Sequence, residues 1–277
     1  MLLFLLAGCA AQPPAGGVAF VLMGDTPYSA SEVERLDVVI EELNGRDAAF
    51  IAHIGDITSG RGPCTDEWFE ARKRQFARLR HPFVLLPGDN DWTDCHRSGF
   101  DPVERLAKWR TLFCVQVVVQ DFERQNGAYC EHVRWQAGGY LFVALNVQGS
   151  NNNLGRNAAM DAEHAARMHA VLAWIDDAER LFLERRLSGL VLLMQANPFL
   201  VPRSGANGFV STLERLRRLA TTYPGRVVLV SGDTHTFRDD QPLPGLRRIE
   251  VPGSPFVGWL EATIAGAELR VSAPRYR

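Results

Sequence analysis

Four times an apolar, strand-like run ends in Gly-Asp: Val18 to Asp25, Phe50 to Asp56, Phe83 to Asp89 and Val227 to Asp233. A single acidic residue after a buried strand also serves as a turn or a helix cap, so one instance decides nothing. Four of them, from strands lying side by side, would converge their carboxylates on one sheet edge. Such a cluster repels itself unless cations sit among the carboxylates or some are protonated. Asp25, Asp56, Asp89 and Asp233 are therefore candidate metal ligands. His235 joins them, two residues past the last corner.

The segments around these corners alternate. The strand at 18–23 is followed by Ser29-Ala-Ser-Glu32, whose capping-box spacing opens a helix to Leu43. The strand at 49–54 leads to a helix over 66–79, and the strand at 83–86 to a helix from Asp101-Pro102 through Leu112. Residues 115–120 and 139–147 read as strands, with Gly138-Gly139 as the turn before the second, and the Asn-rich stretch 149–157 as a polar loop rimming the site. A helix at 160–187, a strand at 190–194, a helix at 209–222 and a strand at 226–231 come next, then short strands near 247–251, 258–264 and 268–272. This order predicts an α/β protein, a layered αββα sandwich of two mixed sheets flanked by helices. Residues 18–277 are expected to form one domain after a leader of 17 residues. Ligands of such sheets sit beyond the carboxyl ends of the strands, where the Gly-Asp corners lie.

Thirty basic against 32 acidic residues leave a net charge of −2, which offers no field to nucleic acid or an anionic membrane. The leader resembles the end of a bacterial lipoprotein signal, with Leu6-Ala7-Gly8-Cys9 fitting the lipobox, although no basic residue precedes the short apolar run. Cys9 is then the lipidation residue, and the protein is expected in the cell envelope facing the periplasm, touching the membrane only through the lipid. The other four cysteines form an even set that an oxidising compartment could pair. Their order suggests Cys64–Cys95 and Cys114–Cys130, although four cysteines allow three connectivities. No CxxC spacing points to zinc.

The succession Gly-Asp, Gly-Asp, Gly-Asp-Asn-Asp, strand-then-Pro and Gly-Asp-Thr-His resembles the calcineurin-like metallophosphoesterases, over residues 18–272. That resemblance implies two metal ions held at strand ends. Asp25 would ligate the first ion, although Pro27 stands where the family has a His, with Tyr28 beside it. Asp56 would be the bridging carboxylate. Asp89 takes the place of an Asn ligand, and Asn90 stands where the family's proton-donating His would be, with Asp91 as the acidic partner of that position. The fourth motif lacks its His and offers only Gln195 or Asn197. In the fifth, Asp233 replaces a His and His235 is retained.

Nitrogen donors are thus exchanged for oxygen, which suits one or two hard ions, Mn, Mg, Ca or Fe before Zn. The implied function is hydrolysis of a small phosphomonoester or phosphodiester by metal-activated water, with Asn90 and Asp91 facing the transferred phosphoryl group. His96 could supply a proton. Arg97, Arg203 and Arg238 could clamp phosphate. Trp92 would either stack a substrate ring or plug the core. His53 reads as a core histidine, whereas His81, His132, His164 and His169 read as surface or helix-face residues. Loss of the family's histidines and of its general acid supports an alternative, a catalytically impaired binding protein of the envelope. A serine or cysteine hydrolase finds no G-x-S-x-G elbow in the sequence and is set aside.

Overall fold

The structure, a computed structural model, describes residues 17–114, 122–200 and 205–277. Cys9, the strand expected at 115–120 and Arg203 lie outside the described residues. Strands β1 (Val18–Met23), β2 (Ile51–His53) and β3 (Phe83–Leu85) run parallel, separated by helices α1 (Ala30–Asn44) and α2 (Asp66–Phe76) and followed by α3 (Pro102–Phe113). Their sheet is completed by β11 (Gly258–Ala265), antiparallel to β1, then β12 (Glu268–Val271), with β13 (Arg275–Tyr276) also on β11.

The second sheet has the order β4 (Glu123–Arg124), β5 (Val133–Ala137), β6 (Tyr140–Ala144), β7 (Gly189–Leu193), β8 (Val227–Ser231), β10 (Leu246–Glu250) and β9 (Arg238–Leu243). Helices α5 (Ala158–Glu184) and α6 (Val210–Thr222) cover it. Both sheets mix parallel and antiparallel pairs, so the expected layered sandwich is what forms.

Strand alternation explains the layers. Phe20 and Leu22 of β1, Val191 and Leu193 of β7, and Val228 and Val230 of β8 meet between the sheets. Their neighbours Val21 and Met23 turn out toward α1, while Leu190, Leu192, Val227 and Leu229 turn toward α5 and α6. Each of these strands is buried on both faces, so it reads as a continuous apolar run. The helices start at residues suited to cap them. Ser29, Thr65, Asp101 and Asn157 each accept a backbone N–H of the first turn with their side chains.

Three sequence expectations are corrected. Strand β5 is absent from the sequence reading; the pair Gly138-Gly139, with φ of 58° and 80°, closes a two-residue hairpin between β5 and β6 instead of merely preceding a strand. The 149–157 stretch is not simply a loop, because it contains the one-turn element α4 (Gly149–Asn152). Its backbone is left-handed, with φ between 47° and 68° from Ser150 through Asn153. His132 is fully buried, not a surface residue, its Nδ1 on the Gln125 side chain. Both expected disulfides form, Cys64–Cys95 and Cys114–Cys130. No helix among the described residues is long and apolar enough to cross a membrane.

Candidate metal centre

Among the described residues, nine that are not glycine take a positive φ. Asp25 (50°), Asp56 (61°), Asp233 (73°) and His235 (59°) are four of them, and Ser150 to Asn153 are four more. This backbone costs energy for residues with a Cβ, and persists where the surrounding structure enforces it. Only Arg186 lies elsewhere. The strain therefore gathers at the strand-end corners and at the left-handed turn facing them.

Hydrogen bonds draw the corners together. The Asp25 N–H bonds to Gly55 O at 2.9 Å, and the Asp233 N–H to Asp25 Oδ1 at 3.0 Å. Asn90 N–H reaches Asp56 Oδ1 at 3.0 Å. Close approach makes the glycines obligatory. A Cβ on Gly88 would fall 1.9 Å from Asp56 Oδ1, and one on Gly149 would fall 2.5 Å from Asp233 Oδ1 and 2.8 Å from Asp89 Oδ2. Asp25, Asp56, Asp89, Asp233 and His235, separated by up to 210 residues of sequence, thus line one crevice.

Neutral donors lie between the acids. Tyr28 Oη donates to Asp56 Oδ2 at 3.0 Å, lies 3.2 Å from His235 Nε2, and accepts from Asn90 Nδ2 at 3.0 Å. The Tyr28 backbone is set by Glu32, which accepts its N–H at 2.9 Å. Gln195 Nε2 donates to Asp56 Oδ2 at 3.0 Å and reaches Asp233 Oδ1 at 3.4 Å, while Gln195 Oε1 accepts from Gly149 N–H. His235 faces Ser254 O through Nδ1 at 2.8 Å. A carbonyl can only accept, so the neutral ring keeps its lone pair on Nε2, the form in which imidazole ligates metals.

The other expected residues divide. Asp91 does not face the crevice. Its buried carboxylate accepts the backbone N–H groups of Gly88 (2.8 Å), Asp56 (3.1 Å) and Ile57 (2.8 Å), and so locks the second corner to the third. Asn197 spends its side chain on Glu250 and Arg248, and its backbone is what reaches Asp233. His96 is exposed and bonds back to Thr93 O of its own turn. Trp92 is fully buried and plugs the core. Arg238 is engaged by Glu250 and Thr234. Arg97 lies at the rim, 3.3 Å from Ser150 Oγ, and a Cβ on Gly60 would meet both its Nη1 and Asn90 Oδ1.

Two participants escaped sequence reading, Asp94 and Ser150. Ser150 Oγ donates to Asp89 Oδ2 at 2.8 Å and lies 2.7 Å from Asp94 Oδ1. Asp94 stands in the dense acidic run Asp89-Asn-Asp-Trp-Thr-Asp94, and that density was the available signal. The Cys64–Cys95 bridge fastens the loop after the second corner to the 3-10 turn Thr93–Ser98 after the third, with both sulfurs against Asn90 O.

Burial is the main force on these acids. It pushes Asp233 up to about 7, with the Asp89 charge adding, and Asp94 likewise to about 7. Asp91 rises to about 7 by burial although three backbone N–H groups oppose it. Asp25 and Asp56 are raised well above the carboxylate range by burial and then by neighbouring acids, and burial likewise keeps Tyr28 a neutral phenol. A crevice in this state has a deficit of positive charge. Asp25 Oδ2 and Asp89 Oδ1 are buried and have no hydrogen-bond partner, although such oxygens are normally satisfied.

The donor set suits a hard divalent cation, since it is almost all carboxylate oxygen with one imidazole. It is not a closed single-ion cage. Among the described residues, the one His/Cys/Asp/Glu trio with ligand atoms within 4.8 Å of one another is Cys114, Cys130 and Glu131, whose sulfurs are tied in a disulfide. The crevice donors are spread more widely, around Tyr28 Oη and Gln195 Nε2.

No protein-family model matches the chain, and no curated protein matches it. Solved structures do. A dimetal phosphatase from Danio rerio aligns with a TM-score of 0.57 at 11% identity, over 93% of this chain and 96% of that one. A purple acid phosphatase from seeds of yellow lupin, Lupinus luteus, gives 0.56 at 13% identity, over 94% of this chain and 51% of that one. The chain has the calcineurin-like metallophosphoesterase fold. A Thermus thermophilus protein aligns at 0.52 and 12% identity, over 92% and 98% of the two chains. At such identities the likeness is one of architecture alone, and the chemistry rests on this chain's own residues.

Proposed function

We propose that the protein is an exported, divalent-metal-dependent phosphoesterase acting on a small phosphomonoester or phosphodiester. One observation carries this reading: the corner residues forced into left-handed backbone, Asp25, Asp56, Asp233 and His235, are those the motif order assigns to metal ions. Together with Asp89 they would hold one or two hard ions, Mg, Mn, Ca or Fe before Zn. Bound there, such ions supply Lewis acidity, neutralising phosphoryl charge and making water nucleophilic near neutral pH.

The chain's own residues would bind and orient the substrate. The Asn90 amide can donate to a phosphoryl oxygen but holds no proton for a leaving alcohol, so esters with good leaving groups should be favoured. Arg97, beside Asn90 and not fully engaged in its ion pair with Asp94, can offer charge to the same oxygens. Asp91 acts as a positioning residue by fixing the Asp56 and Gly88 backbones. Export is supported by the two disulfides, and Cys9 would carry the lipid.

Hydrolysis of p-nitrophenyl phosphate and its bis ester with added Mn²⁺ or Mg²⁺ tests the reading. Cleavage that Asp56→Asn abolishes, together with bound metal, is the expected outcome. If neither ester is cleaved and the substitution leaves metal content unchanged, the reading fails. A second reading, a binding protein that has lost catalysis, is favoured by the neutral bridges of Tyr28 and Gln195 between the acids. It predicts less than about one ion per chain in metal analysis of the purified protein.

A further inference from the structure

A cleft of about 450 Å³ opens beside the acidic crevice, lined by His235, Thr236, Phe237, Phe256 and Tyr276. His235 belongs to both spaces, with Nε2 turned to Tyr28 and Asp25 and its residue forming a wall of the cleft. Apart from His235 the cleft carries no ionisable side chain but the Tyr276 phenol, so charge is not what it reads. Phe256 is 58% exposed and Tyr276 43%, and among the described residues no other large aromatic ring is as exposed as these two. Their centroids are 5.7 Å apart at an interplanar angle of 63°.

Water-exposed rings are unfavourable, and their pairing beside a candidate reaction centre marks a contact surface. The surface is also rigid. The Gly253–Phe256 turn is held by Ser254 N–H on Asp25 O, Ser254 Oγ on Glu32, Phe256 N–H on Gly253 O and Arg35 on Pro255 O. Tyr276 lies over Gly258, where a Cβ would meet its ring at 2.8 Å, in a two-residue pairing of β13 with β11. The residue that presents its carbonyl to His235, Ser254, is two positions from Phe256. One short turn therefore aims the imidazole and displays the ring.

We infer that this cleft is a subsite for a planar aromatic ring borne on the ester alcohol of the substrate. The inference rests on the phosphoesterase reading and deepens it. A ring laid against Phe256 and Tyr276, which already touch edge to face, gains stacked and edge contacts from the cleft side and adjoins a phosphoryl group near His235. An alcohol without a ring leaves both side chains in water.

The test compares kcat/KM for phenyl phosphate, adenosine 5′-monophosphate and glycerol 1-phosphate with Mn²⁺, in the full chain and in Phe256→Ala and Phe256→Tyr. Because Phe256 is a surface side chain, its loss leaves the core packing intact. The ratio of at least one aromatic ester to the glycerol ester should fall about tenfold in Phe256→Ala and be kept in Phe256→Tyr. The phenyl and adenosine arms distinguish a ring joined directly to the ester oxygen from one carried across a sugar. Saturation transfer from the protein to phenol or adenosine, recorded without metal, should be visible in the parent chain and lost in Phe256→Ala. A ratio unchanged within about twofold overturns the inference, as does concentration-dependent dimerisation that Phe256→Ala abolishes. If the parent chain cleaves none of these esters and not bis(p-nitrophenyl) phosphate either, the phosphoesterase reading fails by itself. The saturation-transfer signal then decides the subsite, and its absence refutes the ring.

Discussion

Substituting Asp91 by alanine should unlock the crevice from beneath. Its carboxylate is the acceptor for three buried backbone N–H groups, those of Gly88, Asp56 and Ile57. Each donor left without a partner costs about 1–3 kcal/mol, so the gross loss lies at about 3–9 kcal/mol. Burying the acid is itself unfavourable, as its rise to about 7 shows, and removing it returns part of that penalty. A net loss of about 3 kcal/mol is expected, or roughly 6–12 °C in melting temperature for a chain of this size. Asp91→Asn should cost less, about 1–2 kcal/mol. It keeps an oxygen for the Gly88 and Asp56 N–H groups, which share Oδ2, but presents an NH₂ to Ile57 N–H. Thermal unfolding of the metal-free variants, followed by circular dichroism, gives both numbers. If Asp91→Ala unfolds within a degree or two of the parent chain yet loses all phosphatase activity, the bracing role is wrong and Asp91 acts at the phosphoryl group.

Gly149→Ala places a methyl against Asp233 Oδ1 and Asp89 Oδ2 and should weaken Mn²⁺ binding at least about tenfold by calorimetry, because those oxygens must move apart. Undiminished affinity would mean that Asp89 and Asp233 do not share ligand duty. The metal-free protein should lose stability as pH rises. Asp91, Asp94 and Asp233 sit at about 7 when folded against an ordinary value near 3.8, so the folded state holds protons that the unfolded chain releases. That contribution is fully present below pH 3.8, fades across the interval, and is gone above about 7. Melting should therefore occur at a lower temperature at pH 8 than at pH 5, with Mn²⁺ closing the gap. A profile that is flat without metal would show the acids to be solvated.

The strand-end acids, the helix caps and the disulfide partners were legible because each depends on a short run of residues. Gly-Asp after an apolar stretch, Ser29 ahead of Glu32 and the order of four cysteines are local facts, and local sterics and hydrogen bonding turn them into corners, helix starts and bridges. Because β1, β2 and β3 are joined by helices, their corners had to meet at one edge. Tyr28 and Gln195 were legible as neighbours of the ligand positions, but the partners they take were not. Tyr28 reaches Asp56 and His235 across 28 and 207 residues, and Gln195 reaches Asp56 across 139. The Tyr28–Asp56 contact joins two corners of one sheet, whereas the Tyr28–His235 and Gln195–Asp56 contacts are set when the two sheets close on each other, not by any pattern along the chain.

Asp91 shows the same division. Sequence alone made it a neighbour of the reacting group, whereas the folded chain turns its carboxylate down onto three backbone donors. The chain thus determined that acids would assemble at one crevice. Only the packing of the sheets decided which of them line it, which brace it, and that a pair of exposed rings stands beside it, because side-chain direction follows from tertiary contacts that composition and spacing do not encode.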